Sequence, residues 1–485
     1  MNTAVLMPLA VSIPVVGAAA VAMLHRAPDI RESVSFLSAA AVLACVTMLL
    51  PAVLDGGRPE WVFLELMPGL PLAFRLEPLG MLFALVASVL WPVSTLYSIG
   101  YMRGNNEPHQ SRFFACFAMA IACTLGIAFS ANLITLFLFY ELLTLVTYPL
   151  VTHHRDEESR SAGRIYLGIL MGTSLTLLLV AVVSTWFLTG TTEFTPGGVL
   201  QGEISNAAIS GLLALFVFGI GKAAVMPMHR WLPAAMVAPT PVSALLHAVA
   251  VVKAGVFSVV KVIVYIFGVE RISGLSSVDW LPFITGFTIV AASVVALRSD
   301  NLKRRLAYST ISQLSYVVLA AALLTPLSVI GAALHLVAHA VGKITLFFAA
   351  GAIYTAAHKT NVSQLDGIGW RMPWTMAAFS IGALSMIGLP PAAGFISKWY
   401  MLQGAVVSAQ WVAVAVIAAS TLLNAGYFLP ILYRAYFVDP HDGCDRHGEA
   451  SWSIVSALCI TASFTLLLFF FSDVPLALAR QLAGG

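Results

Sequence analysis

Four lysines, one glutamate and three histidines stand in stretches otherwise suited to oil. Lys222 lies in LFVFGIGKAAVMPMHRWLP, Lys253 in LLHAVAVVKAGVF, Lys343 in LHLVAHAVGKITLFF and Lys398 in GLPPAAGFISKWY. Glu141 lies in LITLFLFYELLTLVTYPLV, and His247, His335 and His339 share the stretches of Lys253 and Lys343. The chemistry open to such a set is proton exchange. Histidine titrates near neutral pH. A desolvated lysine sheds its proton readily, and a nearby carboxylate restores it. A Glu–Lys pair of variable separation can therefore take up and release a proton, at about 1.36 kcal/mol per pKa unit. At 100° per residue, His335, His339 and Lys343 share one helix face in steps of about 6 Å. Glu141 is the one acid read as deep in these stretches, which makes it the expected partner of Lys222.

The other readings of these residues are structural. A charge at mid-bilayer costs at least about 2.5–3.5 kcal/mol, and four lysines together on the order of 10 kcal/mol. A single intramembrane lysine can be one half of a structural ion pair, but one deep acid cannot pair four lysines. His247 alone could be a hydrogen-bonded interior histidine. His335 and His339, four residues apart on one helix, cannot flank one haem iron axially. Lys261 and Arg434 are expected to snorkel from span ends. Arg75 and Glu77 read as readily as an interfacial pair as a site. HHRDEESRSAGR and RSDNLKRRLAYS read as solvated loops. Cys45, Cys116, Cys123, Cys444 and Cys459 form no CxxC and no metal spacing, and read as small packing residues.

The elements that must hold these groups are membrane helices. Hydrophobic residues make up 59% of the 485 and charged residues 10%. Mean hydropathy is +0.91, and a soluble domain would carry about 25% charged residues. Apolar runs of about twenty residues recur throughout, each able to cross a bilayer as a helix. They do not alternate as barrel strands would. The fold class is therefore an all-α polytopic membrane protein. Fourteen spans are expected, near 3–24, 34–54, 74–97, 113–130, 132–151, 165–188, 207–226, 241–266, 280–298, 305–324, 327–356, 373–405, 410–437 and 453–477. The first segment lacks a basic leader region and reads as a retained helix. Residues 1–485 form one transmembrane domain.

Fifteen basic residues follow odd-numbered spans, against only Arg58, Arg271 and Arg480 on the other side. The positive-inside rule then places both termini outside. Two spans carry helix breakers beside a lysine: Pro227 after Lys222, and Pro390 and Pro391 before Lys398. Interrupted membrane helices occur where backbone lines a cavity or is buried in protein. A matched pair of them suggests an inverted repeat. The break is expected to follow the lysine in one half and precede it in the other.

YSIGYM, FYELLTLVTYPLV, GIGKAAVMPMHRWLPAAMVAPTPVSALLHAVAVVKAG, NLKRRLAYSTISQLSY, HLVAHAVGKITLFFAAG and IGLPPAAGFISKWY together resemble a known family. It comprises the antiporter-like, proton-translocating subunits of respiratory complex I, membrane-bound hydrogenases and Mrp-type sodium/proton antiporters. The resemblance implies peripheral helices over 1–110, repeats over 111–270 and 275–437 (spans 4–8 and 9–13), and a last helix over 450–485. It implies a polar axis in which Glu141 and Lys222 are the entrance pair. His247, Lys253, His335, His339 and Lys343 would relay, and Lys398 would be the exit. Lysine at the last position departs from the M-type complex I subunit, which carries glutamate there. The chain ends about eight residues after its last span, unlike the long L-type complex I and A-type Mrp members. LLNAGYFLPILYRAYF looks most like the D-type member of Mrp antiporters.

The expected function is proton translocation within a multisubunit monovalent cation (Na+)/H+ antiporter of the inner or plasma membrane. The alternatives are a proton-pumping subunit of a complex I or hydrogenase-type assembly, and a stand-alone secondary cation/proton transporter. Expected partners are other membrane subunits, protons, the lipid bilayer and, as an open point, sodium. No nucleic acid, metal or cofactor is expected.

Overall fold

The computed structural model describes residues 3–67, 69–200, 202, 204–439 and 448–484. The side chains of residues 246 and 247, and hence the predicted relay residue His247, lie outside the described residues, as do Cys444, Arg446 and most of VDPHDGCDRHGEAS. The chain opens with α1 (Leu6–Met23) and α2 (Pro28–Leu54), followed by a hairpin of β1 (Glu60–Met67) and β2 (Leu70–Arg75). Next come α3 (Pro78–Gly104), α4 (Gln110–Phe129), α5 (Leu133–Val151) and α6 (Glu157–Thr189). The first interrupted segment is α7 (Asn206–Gly219), and α8 (240–267) follows with π turns at Leu245–Val249 and Ile263–Phe267. Then come α9 (Trp280–Arg298), α10 (Leu302–Ala322) and α11 (Pro326–Ala357). The second interrupted segment is α12 (Pro373–Ile387) plus α13 (Ala393–Val407). The chain closes with α14 (Trp411–Phe437), α15 (Trp452–Phe470) and α16 (Asp473–Leu482).

Local sequence sets these boundaries. Proline occupies the first turn of α2, α3, α11 and α12, where its missing N–H costs nothing. Asn132, Asp156, Ser205 and Asn301 accept a backbone N–H from the first turns of α5, α6, α7 and α10. Thr325 and Ser328 form a capping box at the start of α11.

Among the described residues, ten helices are long and apolar enough to cross a membrane. The four expected spans outside that ten are α7, α8, α10 and the α12–α13 pair. These are short, interrupted or polar, and all four touch the lysines described below. The α7 and α12–α13 segments are five crossings apart, and an odd offset reverses their direction, as an inverted repeat requires. At the centre runs α11, whose most apolar 18-residue window is wholly buried. It packs on α3, α8, α10, α12, α13, α15 and α16.

Several sequence expectations need correcting. Residues 60–75, assigned to no span up to 73 and to the third span from 74, form an antiparallel hairpin with Glu60 opposite Arg75. It is tied to the α4–α5 turn, where the Ala131 N–H donates to Ala73 O (3.0 Å) and Asn132 Nδ2 to Pro71 O (2.7 Å). The two supposed solvated loops contain the first turns of α6 and α10. The last span breaks after Phe470, and α16 returns Gln481 to Leu54 O at 2.8 Å. Arg75 does not pair with Glu77. It bridges Glu60 (3.1 Å) and Glu193 (2.8 Å). Lys261 does not snorkel. It is fully buried, 3.2 Å from Glu77, which is itself only 4% exposed. Glu77 is thus a second deep acid. Arg434, half-exposed, pairs with Asp366 at 3.0 Å.

At the end opposite the hairpin, Glu107 faces two adjacent histidines. His154 Nε2 is 3.0 Å from its carboxylate and His153 Nε2 3.8 Å. The hydrogen bond to Glu107 raises the pKa of His154, whereas burial lowers that of His153 to about 4. For His154, the stabilisation is complete below the unfolded pKa of about 6.5 and disappears as pH rises through the raised folded value. His153 has the opposite sign, because acid favours the unfolded chain that can protonate it. Replacing His154 by glutamine should therefore lower the melting temperature in detergent at pH 5.5 and have no effect at pH 9. His153, common to both proteins, cancels.

Candidate functional site

The first half of the site forms where α7 stops. The helix ends at Gly219, and Lys222 sits in a single 3-10 turn, Gly221–Ala223, immediately after it. Pro227 lies farther along the irregular stretch. The glycines therefore end the helix before the lysine, and the break does not simply follow Lys222 as expected. The ammonium of Lys222 donates to Tyr140 O (2.7 Å) and Thr144 Oγ1 (2.6 Å), and lies 3.2 Å from the centre of the Tyr140 ring. Its backbone N–H donates to Tyr140 Oη at 3.1 Å. Glu141 is the next residue on α5, with both carboxylate oxygens shielded from solvent. The expected Glu141–Lys222 pair is thus assembled in one place, but not in direct contact. Among the described residues no ion pair joins them, and the lysine is held by neutral oxygens.

The turn carrying Lys222 is fixed from behind by Gly255 on α8. A Cβ there would collide with the backbone of Lys222 and Ala223. Forcing extra atoms into packed interiors costs about 1–3 kcal/mol. Gly255→Ala should lower the melting temperature in detergent and displace Lys222. A parent-like melt would show that this close approach is dispensable.

The two halves meet at α8 and α11. Lys253 Nζ lies 2.7 Å from His339 Nδ1, and both side chains are completely buried. One turn away, the His335 ring centre is 6.1 Å from that of His339. His335 is held between Ser397 Oγ (2.9 Å) and Gln313 Oε1 (3.0 Å). On the same face of α11, Lys343 donates to Ser309 Oγ at 2.8 Å. The face predicted from spacing is therefore real and lies wholly inside the protein.

Lys398 ends the series at the second break. Pro390 and Pro391 lie between α12 and α13, and Lys398 stands in the second turn of α13. A helix leaves its last carbonyls without intrahelical partners, and their dipoles favour a cation. Lys398 Nζ supplies one, donating to Met386 O (2.8 Å) and Ile387 O (2.9 Å). Gly388, at φ +91°, lets the lysine reach back, since a Cβ there would lie 2.7 Å from Lys398 Cδ. Met386 O also accepts from Asn424 Nδ2 (3.2 Å) and Gln313 Nε2 (3.4 Å), so three elements converge on one carbonyl.

Sequence reasoning missed Tyr140, Thr144, Ser309, Gln313 and Ser397 as partners of the ionisable groups, and Asn424 and Tyr427 behind them. A signal was present for some of them. YSTISQLSY places hydroxyl and amide groups through an otherwise apolar span, with Ser309 and Gln313 four residues apart.

The fold and site define a polytopic α-helical integral membrane protein with a buried ionisable axis joining two interrupted helices. Residues 130–424 match the family described as NADH:quinone oxidoreductase/Mrp antiporter, TM, and the chain belongs to that family. Residues 67–114 match the family described as NADH-Ubiquinone oxidoreductase (complex I), chain 5 N-terminus. The chain is 34% identical over 445 residues to NADH-quinone oxidoreductase subunit N of Desulforudis audaxviator, covering 90% of this chain and 87% of that one. It is 33% identical over 381 residues to the A/B component of a probable K(+)/H(+) antiporter of Rhizobium meliloti, covering 76% of this chain and only 37% of the relative. The fold matches a chain of the Mrp complex from Dietzia sp. DQ12-45-1b with a TM-score of 0.87 at 21% identity, over 99% of this chain and 97% of that one.

Proposed function

We propose that the chain moves protons along the buried axis as one subunit of a membrane complex exchanging monovalent cations for protons. The observation that carries this reading is the run of buried ionisable groups through both halves. It passes from Glu141 and Lys222, across Lys253 and His339, to His335, Lys343 and Lys398. Each lysine of this run is held by oxygens or an imidazole, and no ion pair among the described residues fixes it, so losing a proton breaks no salt bridge. His247 belongs to the same proposed path by sequence. Repeats over 111–270 and 275–437 would each contribute one interrupted helix. Thr3–Val5 and Gln481 lie near the hairpin end of the bundle, and an excess of basic residues at the opposite end supports an orientation with the hairpin end outside.

The chain spans 37% of its K(+)/H(+) antiporter relative, so the function of such a whole protein is part of the proposal. The coverage of subunit N on both sides favours a second reading, a proton-pumping subunit of a quinone-reducing complex. Inverted vesicles carrying the native complex separate the two. Under the antiporter reading, adding sodium or potassium dissipates an imposed pH gradient, and deleting this chain abolishes the response. Under the second, the chain is needed for acidification driven by a quinone-linked reductant. Loss of neither response on deletion would defeat both readings.

A further inference from the structure

We infer that Ser309 and Tyr427 form a hydroxyl relay carrying protons from Lys343 towards Lys398, beside the histidines of α11; this rests on the proton-translocation reading above. Lys343 Nζ can only donate to Ser309 Oγ, at 2.8 Å. Tyr427 Oη donates to Ser309 Oγ at 3.0 Å. Tyr427 Oη also contacts Asn424 Oδ1, which can only accept. Asn424 is fixed at its other end, where Nδ2 donates to Met386 O, the carbonyl that also receives Lys398. The single phenolic proton can serve only one of these two acceptors. When it turns from Ser309 to Asn424, the Tyr427 oxygen is left to accept from Ser309, and Ser309 to accept from Lys343. All four side chains are buried, on α11, α10 and α14.

The transfer balances. The Lys343 ammonium gives a proton to Ser309 Oγ while Ser309 passes its own hydroxyl proton to Tyr427 Oη. Tyr427 releases its phenolic proton to a water, which gives a proton to the neutral amine of Lys398. Each hydroxyl and the water end with the protons they began with, and one proton has moved. The histidine branch runs alongside: His335 meets the Gln313 side-chain amide through Nε2 (3.0 Å) and the Ser397 hydroxyl, next to Lys398 in sequence, through Nδ1 (2.9 Å).

The test measures proton transport by the complete complex in vesicles. Tyr427→Phe keeps the ring and removes the hydroxyl. It should slow transport by at least about tenfold, the low side of what a lost proton-transfer group costs. Ser309→Ala should do the same, while Ser309→Thr, which keeps a hydroxyl, should restore most of the rate. A purely structural role would not separate threonine from alanine in this way while their melting temperatures agree. Should Tyr427→Phe fail to assemble, the Ser309 pair decides alone. Parent-like transport in Tyr427→Phe, or equal rates in the two Ser309 variants, overturns the relay. Lys343→Met and Lys398→Met are the controls. If both transport normally, the axis reading itself fails. If both are dead and the hydroxyl variants are normal, only the relay fails.

Discussion

Lys222→Met is expected to abolish coupled proton transport, with a loss of about a hundredfold or more, and leave the bundle folded. The side chain is completely buried, yet its ammonium is held by Tyr140 O and Thr144 Oγ1 rather than by a carboxylate. Removing it therefore breaks no ion pair among the described residues, although Glu141 loses its cationic neighbour. The loss falls on transport, because the first half of the axis would have no group to receive a proton. Lys222→Arg sharpens the point. Guanidinium is always protonated, so the charge survives and its release does not. Arginine should be nearly as inactive as methionine. Glu141→Gln should also lose coupled transport, because the neighbouring charge that modulates the lysine is gone. These rates would be read from pH-dye quenching in vesicles. Parent-like rates in Lys222→Arg would mean that the lysine acts as a fixed charge and never as a proton carrier.

The largest stability effect is expected at the Glu77–Lys261 pair. Both side chains are buried and 3.2 Å apart, and Lys261 also donates to Ser130 O at 2.6 Å. Removing one member strands the other charge in a dry interior, which costs about 3–5 kcal/mol. Glu77→Leu or Lys261→Met should therefore lower the melting temperature sharply in detergent. The double variant, with no charge left to strand, should recover most of the loss, because replacing a whole buried pair by apolar groups is often neutral or stabilising. If the double variant is as unstable as the sum of the single ones, the pair is not the source of the effect.

The apolar runs made the helices easy to read, and the ionisable residues within them announced the axis. The spacing of His335, His339 and Lys343 settled their common face because one rigid helix carries all three. What escaped was what folding alone brings together. Ser309 and Tyr427 are separated by 118 positions and meet only when α10 packs near α14. Lys261 looked peripheral because its partner Glu77 precedes α3, far away in sequence. The hairpin lies between the second and third expected spans, in residues that the apolar-run reading left without an element. The prolines near Lys222 drew attention to the break, but Gly219 and Gly221 mark where the helix yields.

The oxygen atoms around the lysines have a consequence for alkali metals. Lys222 and Lys398 already occupy clusters of carbonyl and hydroxyl oxygens of the sort that would strip water from a sodium or potassium ion. These cages come with tethered occupants. A metal ion entering either one would have to displace an ammonium that cannot diffuse away, and would meet its repulsion while the lysine is protonated. As long as these lysines are protonated, an alkali ion is therefore kept from both oxygen pairs, whereas a proton can come and go without displacing the side chain.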